Sequence, residues 1–328
     1  MLMPNFTYVR VKSLREAIDQ LSAGGGGARI HAGGTDLLGC LRDDVFKVSK
    51  VVSIGQLKDL RGISQAPDGG LRIGALTTIT EMSQNKIIKE RYAALAQAAS
   101  EVASPQLRNQ GTLGGNLCQK PRCWYYRGEF HCLRKGGGMC YAVQGENQFH
   151  CIYGGNMCYI VHPSDTAPAL VAFEATARVA GPDGIRTVPL SQFFVPPGEN
   201  VAKEIILESN EILTEILLPP PGQGVRSSYR KVRARRSWDF SLAGMALVVR
   251  FNGKQVQRAR VVLSGAAPIP WRSREVEEII TGRELNAETV AKAADAVVKN
   301  AEPMQKNGFK LPLFRGIVEE ELTAIAKG

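Results

Sequence analysis

The cysteines are the residues of this chain whose type and spacing most directly indicate chemistry. Six of the seven lie between positions 111 and 165, separated by 4, 8, 7, 10 and 6 residues: Cys118, Cys123, Cys132, Cys140, Cys151 and Cys158. Glycine, aromatic and basic residues surround them, with little of the apolar periodicity that forms a regular helix or strand. This segment therefore needs a cross-link or an inorganic group to order it.

Three kinds of group can order such a segment: disulfides, zinc or an iron–sulfur cluster. Disulfides need an oxidising compartment, and the opening sequence MLMPNFTYVRVKSLREA lacks the apolar core or twin arginine of an export signal. Zinc sites usually contain close pairs such as Cys-x2-Cys, which this segment lacks. An iron–sulfur cube is wider than one ion, so its ligands can come from separated turns of a long loop. The spacing favours a cluster and leaves the other two groups open.

Two glycine-rich turns carry a second signal. The first, His31-Ala32-Gly33-Gly34-Thr35-Asp36-Leu37, follows a short strand predicted over 29–32, and the second is Thr112-Leu113-Gly114-Gly115-Asn116. Glycine lets backbone amides approach an anion closely, and the carboxyl end of a strand is a common place for such a loop. Pro163-Ser164-Asp165 then begins an apolar run in the manner of a helix N-cap. Each turn alone is a weak signal, since neither contains a Rossmann or P-loop fingerprint.

The elements that must position these residues predict an α+β fold. Residues 13–16 read as the capped start of a helix that stops at glycines 24–27, and an alanine-rich helix is predicted over 91–103, ending at Ser104-Pro105. Residues 219–224 form a proline-rich linker that marks a domain boundary. Beyond the linker, the pattern predicts strands and then helices, which is typical of a small sheet with helices on one side.

Composition sets wider limits on function. The 328 residues carry a formal charge of +10, which is compatible with nucleic acid, an anionic cofactor or an acidic partner subunit. The basic residues over 226–236 lack interleaved aromatic side chains, so we interpret them as a solvated or subunit-facing strand. The sequence contains no apolar run long enough for a membrane span. We expect a cytoplasmic protein, or a periplasmic one only if a signal-bearing partner exports it.

The first glycine loop, the GTLGGN turn, the Pro-Ser-Asp turn and the proline linker together resemble the flavin-binding subunits of the molybdenum hydroxylases. This is the family of xanthine dehydrogenase and of the medium subunit of carbon monoxide dehydrogenase, and the resemblance covers essentially the full length. It implies a two-subdomain FAD-binding fold of the vanillyl-alcohol-oxidase (PCMH) type. The implied subdomains are 1–60 and 61–221, followed by a C-terminal α+β domain over 224–328 with a small antiparallel sheet and helices.

The resemblance also implies which residues bind FAD without a covalent bond. They lie in the two glycine turns, the Ser-Asp turn and two later segments: Ile30, His31, Ala32, Gly33, Gly34, Thr35, Asp36, Leu37, Thr112, Gly115, Asn116, Ser164, Asp165, Leu213 and Lys231. Residues 30–37 match the pyrophosphate-binding loop of the family, and Asp165 matches the acidic residue that binds hydroxyls. Leu213 and Lys231 match positions near the isoalloxazine ring, where a lysine can polarise the flavin.

Some members of this family, such as 4-hydroxybenzoyl-CoA reductase and the flavin subunits of some bacterial aldehyde oxidoreductases, contain a cysteine-rich insertion. This chain resembles them over residues 118–158, which implies a 4Fe-4S cluster bound by Cys123, Cys132, Cys140 and Cys158. Cys118 and Cys151 are then small packing residues. Because the interval from Cys140 to Cys158 is long, Cys151 is the main rival of Cys158.

The resemblance implies an oxidoreductase subunit that transfers electrons within a heteromeric complex. An aldehyde, aromatic or CoA-thioester substrate would react on a large molybdenum-cofactor partner, and a small 2Fe-2S partner would connect it to FAD and an external acceptor or donor. No catalytic residue for the organic substrate is expected on this chain, nor any nucleic acid. Two other hypotheses stay open: a free-standing FAD-dependent oxidoreductase and a zinc-dependent nucleic-acid-binding module.

Overall fold

The computed structural model describes residues 3–327 and begins with a small parallel sheet. Its elements are β1 (Thr7–Arg10), α1 (Leu14–Gly24), β2 (Ala28–His31), α2 (Leu37–Arg42) and β3 (Lys50–Ser53). The strand order is β1-β3-β2, and both neighbouring pairs are parallel. Ser13 caps α1 by accepting a hydrogen bond from the Glu16 N–H at 3.1 Å, as the sequence predicts. The first glycine turn therefore lies between the carboxyl end of β2 and the start of α2.

A five-stranded antiparallel sheet forms the centre of the molecule. Its strands are β4 (Ile63–Gln65), β5 (Leu71–Gly74), β6 (Thr176–Gly181), β7 (Gly184–Pro189) and β8 (Ile212–Leu218), in the order β4-β5-β8-β6-β7. The helices between β5 and β6 are α3 (Ile79–Gln84), α4 (Lys86–Arg91), α5 (Ala93–Ser100), α6 (Pro105–Gln110), α7 (Leu113–Leu117), α8 (Trp124–Arg127) and α9 (Thr166–Ala172). Helices α5 and α9 supply much of the largest core cluster.

Three local predictions in this region differ from the structure. The helix predicted over 91–103 is the shorter helix α5, which ends at Ser100, and Ser104-Pro105 begins a helix instead of ending one. The Ser104 hydroxyl accepts a hydrogen bond from the Leu107 N–H. Proline is tolerated at the first helical position because an N–H there would have no acceptor within the helix. The second glycine turn is likewise the short helix α7, capped by Thr112.

The C-terminal part is a four-stranded antiparallel sheet covered by helices. Its elements are β9 (Val225–Val232), β10 (Ala243–Asn252), β11 (Gln255–Ser264), β12 (Trp271–Arg272), α10 (Arg274–Ile280), α11 (Ala287–Ala296) and α12 (Lys310–Lys327). The strand order is β12-β11-β10-β9. Tyr229, Ala246 and Val262 from this sheet join the central core, so the two sheets share buried contacts. The predicted α+β class and the C-terminal sheet with helices are confirmed.

The cysteine-rich segment contains little regular structure. Between α7 and α9, the chain forms only the four-residue helix α8 and a single 3-10 turn over Leu133–Lys135. Within residues 3–327, every helix is too short or too polar to span a lipid bilayer.

Candidate functional site

The first glycine turn presents free backbone amides. Among residues 3–327, the N–H groups of Gly33, Gly34, Thr35 and Asp36 have no hydrogen-bond acceptor. A Cβ at Gly33 would lie 1.9 Å from the carbonyl oxygen of Gln110, so only glycine fits there. Gly34 has a φ of 74°, which also favours glycine. A turn with several free amides at the end of a strand can bind a pyrophosphate.

A cavity of about 470 Å³ opens above this turn. Its volume falls within the range of roughly 300–1,000 Å³ that is typical of small-molecule and cofactor sites. The predicted flavin residues that line it are Ile30, Ala32, Gly33, Gly34, Thr35, Asp36, Leu37, Thr112, Gly115 and Leu213. Thr112 stands opposite the first turn, where its hydroxyl accepts a hydrogen bond from the Gly115 N–H at 3.2 Å. Both glycine turns therefore face one space.

The remaining predicted flavin residues lie outside this cavity wall. His31 lies beneath the turn, since a Cβ at Gly34 would come within 2.7 Å of its Nε2 atom. Asn116 and Ser164 connect two turns: the Ser164 hydroxyl donates to the Asn116 side-chain oxygen at 2.5 Å, and the Thr166 hydroxyl donates to the same oxygen at 2.7 Å. These contacts fix the second glycine turn against the start of α9.

Asp165 and Lys231 form a buried ion pair. The Lys231 ammonium lies 2.8 Å from one carboxylate oxygen of Asp165, and the Tyr229 hydroxyl donates to the other at 2.8 Å. Burial raises the pKa of Asp165, although Lys231 opposes that rise. The Lys231 side chain is 0% exposed, so the interpretation of 226–236 as a solvated or subunit-facing strand is wrong for this residue. Asp165 lines a second cavity of about 170 Å³ between the cysteine-rich segment and the C-terminal part.

Four cysteines line a third, small cavity in the cysteine-rich segment. They are the four predicted cluster ligands, Cys123, Cys132, Cys140 and Cys158, and Tyr125, Tyr126, Tyr141 and Tyr159 complete much of the wall. Cys123 is positioned by the start of α8, and Cys132 by the 3-10 turn that follows it. Met157 adopts a φ of 62° immediately before Cys158, which turns the chain there. Separate turns thus bring the four thiols to one place.

Polar groups surround these thiols. Burial raises the pKa of Cys123 to about 11, and the backbone N–H groups of Tyr126 and Tyr125 offset part of that effect. Burial also raises the pKa of Cys140, and hydrogen bonds from the backbone N–H groups of Ala142 and Tyr159 partly lower it. The Nε2 atom of His150 lies 3.3 Å from the Cys123 sulfur. Backbone and side-chain donors of this kind stabilise thiolates bound to a metal centre.

The other three cysteines do not line this cavity, although Cys40 packs in one apolar cluster with Cys132. Burial raises the pKa values of Cys40, Cys118 and Cys151 to about 12. Cys118 packs against the central core, and Cys151 lies beside Gly155. All seven cysteines are free thiols, and within residues 3–327 no group of three or more His, Cys, Asp or Glu side chains could hold a single metal ion. The described residues therefore contain neither a disulfide framework nor a zinc site of that kind.

A set of charged residues that the sequence did not predict lies between the large cavity and the cysteine cavity. Arg134 lines the cysteine cavity, and its Nη1 donates to the Glu204 carboxylate at 2.7 Å. Lys120 binds the same carboxylate, and both Lys120 and Glu204 line the large cavity. Burial opposes the charge on Arg134, but Glu204 and the Cys158 thiol outweigh it and raise the pKa of the guanidinium. The only sequence signal was a basic residue two positions after Cys132.

Asp36 connects the first glycine turn to the start of the cysteine-rich segment. One of its carboxylate oxygens accepts from Arg127 at 2.7 Å and lies 2.9 Å from Arg122. The other accepts from the backbone N–H of Lys120 at 2.8 Å. The turn and the cysteine-rich segment are therefore held as neighbours.

Comparison with known proteins identifies the class. The family model described as the FAD binding domain in molybdopterin dehydrogenase matches residues 4–127 and 150–221, and that of the CO dehydrogenase flavoprotein C-terminal domain matches residues 227–322. The chain belongs to this family, and the predicted family, FAD-binding fold and oxidoreductase class are confirmed. The first model passes over residues 128–149, which include Cys132 and Cys140.

Individual relatives match over nearly their full length. The chain is 35% identical to the aldehyde oxidoreductase FAD-binding subunit of Escherichia coli strain K12, over 95% of this chain and 96% of the relative. It is 30% identical to the carbon monoxide dehydrogenase medium chain of Hydrogenophaga pseudoflava, over 93% and 90% of the two chains. A solved structure of carbon monoxide dehydrogenase from that organism matches with a TM-score of 0.79 and 28% identity, over 99% of this chain and 98% of the other.

Proposed function

We propose that this chain is the FAD- and 4Fe-4S-containing electron-transfer subunit of a heteromeric molybdenum-dependent dehydrogenase. The observation that carries the proposal is the convergence of four cysteines on one cavity beside the cavity of the glycine turns. Two of these cysteines lie in the segment that the family model passes over. An added thiolate site next to a flavin site is a suitable arrangement for a second redox centre.

The large cavity fits FAD. The free amides of residues 33–36 and the close approach allowed by Gly33 would hold the diphosphate, with Thr112 and Gly115 on the opposite side. Leu213 would pack on an apolar part of the cofactor. When bound, FAD exchanges electrons singly or in pairs, whereas the protein supplies binding and electrostatics. Ser164 and Asp165 would contribute from the second cavity, with Lys231 in the ion pair behind Asp165.

The four thiols suit a cluster better than a single ion, and the space of about 10 Å³ that they line would have to widen for a cube to enter. Four thiols line it, yet no three of the described side chains are close enough to share one metal. A cube of iron and sulfide is wider, so it suits ligands that surround a space without touching a common point. The Nε and Nη2 atoms of Arg134 are buried beside this space without an acceptor among residues 3–327. Sulfur atoms of a cluster would accept from them.

The proposal extends to domains and partners. The chain would comprise flavin subdomains 1–60 and 61–221, with the cysteine insertion at 118–158, and a C-terminal domain at 224–328. Large molybdenum-cofactor and small 2Fe-2S subunits would be its partners, together with an external electron acceptor or donor. Aldehydes are the favoured substrate class because the aldehyde oxidoreductase subunit is 35% identical, whereas the carbon monoxide dehydrogenase chain is 30% identical.

The test is anaerobic purification with analysis of iron, sulfide and flavin. We expect one FAD and about four irons per chain. Replacing any of Cys123, Cys132, Cys140 or Cys158 by serine should remove iron while flavin stays bound. The matched controls, Cys118→Ser and Cys151→Ser, should retain both iron and flavin. A colourless zinc protein would refute the proposal, and flavin reduced directly by an organic substrate would favour a free-standing oxidoreductase.

A further inference from the structure

Arg134 is a buried cation that lines the cavity of the four cysteines. Its side chain is 1% exposed, and one nitrogen, Nη1, donates to Glu204 and to the Lys203 carbonyl oxygen. Its Nε and Nη2 atoms have no acceptor among residues 3–327. An arginine with two unsatisfied buried donors is costly unless an acceptor occupies the neighbouring space. Among the cysteines, the Cys158 thiol is the one that helps to raise the pKa of Arg134.

Glu204 connects Arg134 to the flavin cavity. Its carboxylate is 4% exposed and is shared by Arg134 on the cysteine side and Lys120 on the flavin side. Lys120 and Glu204 both belong to the wall of the large cavity. A continuous row of three charges, positive, negative and positive, therefore runs between the two proposed redox sites.

We propose that Arg134 is a positioning residue that raises the reduction potential of the cluster, and that Glu204 limits this effect. The inference rests on the proposed function. Four thiolates give the cluster site a negative charge, and reduction adds one more electron without breaking a bond. A fixed cation nearby favours the reduced form, and a fixed anion disfavours it, because charges interact strongly where water is excluded.

The chain contains a matched control for this charge arrangement. Glu215 is a second buried glutamate that two cations share, Arg72 and Arg178, with the Arg178 Nη1 at 2.6 Å. Glu204 and Glu215 are 5% and 3% exposed, so both lose similar hydration. Glu215 lies on the central sheet and lines neither cavity. Glu215→Gln therefore makes the same charge change as Glu204→Gln away from the cluster site.

The experiment is an anaerobic redox titration of the full chain that follows cluster and flavin by absorption and electron paramagnetic resonance. Arg134→Met should lower the cluster potential so that reduction becomes about tenfold less favourable, which is ~59 mV for a one-electron couple. Arg134→Lys should restore most of the difference. Glu204→Gln should shift the potential in the opposite direction, upward, and Glu215→Gln should leave it unchanged.

Opposite shifts for Arg134→Met and Glu204→Gln would support the inference, because a general packing defect has no reason to change sign with charge. Shifts in the same direction, or shifts no larger than that of Glu215→Gln, would overturn it. If Arg134→Met is purified without iron, the Glu204→Gln variant alone tests the inference: an upward shift of the cluster potential would support it, and a downward shift would overturn it. An unmodified chain without iron would instead refute the proposed function.

Discussion

The ammonium of Lys231 lies 2.8 Å from the carboxylate of Asp165, and both side chains are almost fully buried. Lys231 is in β9 of the C-terminal sheet, and Asp165 immediately precedes α9 of the central part. The pair therefore fixes the C-terminal sheet against the helix that closes the cysteine-rich segment. The Tyr229 hydroxyl, which donates to the same carboxylate, belongs to the same strand as Lys231.

Removing one member of this pair should destabilise the fold severely. Lys231→Met leaves a buried carboxylate without its counter-ion, and breaking such a pair typically costs about 3–5 kcal/mol. We expect a loss of that size in the free energy of unfolding, measured with urea. The double variant Asp165→Asn with Lys231→Met should lose much less, because no buried charge remains. Equal losses in the single and double variants would contradict the prediction.

Adding one methyl group to the first glycine turn should weaken flavin binding. The Cβ of Gly33→Ala would lie 1.9 Å from the Gln110 carbonyl oxygen, so the turn must move and its free amides with it. We expect at least a tenfold weaker affinity for FAD, or about 1.4 kcal/mol, in equilibrium dialysis. Gly55→Ala is the control, since nothing lies within 4 Å of a Cβ there. Unchanged FAD affinity in Gly33→Ala would exclude the turn from the site.

Local features of the fold were predictable because their causes lie within a few residues. Ser13 marks a helix start because its hydroxyl accepts a hydrogen bond from the N–H group three residues later. The position of the first glycine turn after a strand follows from the same kind of local pattern. The prediction for Ser104-Pro105 was wrong because proline occurs near both ends of helices. The hydrogen bond from the Leu107 N–H to the Ser104 hydroxyl shows that a helix begins here.

Contacts between distant segments were not predictable from local patterns. The Glu204 partner of Arg134 is 70 positions away, and Lys231 is 66 positions from Asp165. Which charges meet depends on how the sheets are arranged, and a single sequence contains no local signal for that. The resemblance supplied the family and the proposed ligands, whereas the charge network between the cavities came only from the structure.

A buried asparagine, Asn307, is one of the residues that hold the cysteine-rich segment to the C-terminal part. The Asn307 side-chain amide donates to the carbonyl oxygens of His150 and Cys151, both at 3.0 Å. Asn307→Ala leaves the Cys151 carbonyl without a donor, whereas the His150 carbonyl keeps the Lys310 ammonium, so we expect a loss of about 1–3 kcal/mol in unfolding free energy. Amide hydrogen exchange over residues 147–152 should become faster than in the unmodified chain.

The exposed Asn300 is a suitable control for Asn307, since surface substitutions usually change stability by less than about 0.5 kcal/mol. Asn300→Ala should leave both the unfolding free energy and the exchange over 147–152 as they are. If Asn307→Ala behaves like this control, the segment must be held by other contacts, such as the Lys310 ammonium that donates to the His150 carbonyl at 2.9 Å.

His162 should make the fold sensitive to mild acid. Burial lowers its pKa to about 4, whereas the value in an unfolded chain is about 6.5. Above pH 6.5 the imidazole is neutral in both states and affects stability little. As the pH falls from 6.5 toward 4, the unfolded chain binds a proton that the folded chain does not, so the free energy of unfolding decreases.

Urea unfolding at pH 7 and pH 5 measures this contribution when the chain is compared with His162→Asn. Asparagine keeps an acceptor for the Ser164 N–H, which lies 3.4 Å from the His162 Nδ1, but does not titrate. Between the two pH values, the unmodified chain should lose about 2 kcal/mol more than the variant. His150, whose pKa burial also lowers to about 4, is present in both chains and cancels in the difference. An identical loss in both chains would contradict the prediction, because it would show that the fold does not hold His162 in its neutral form at pH 5.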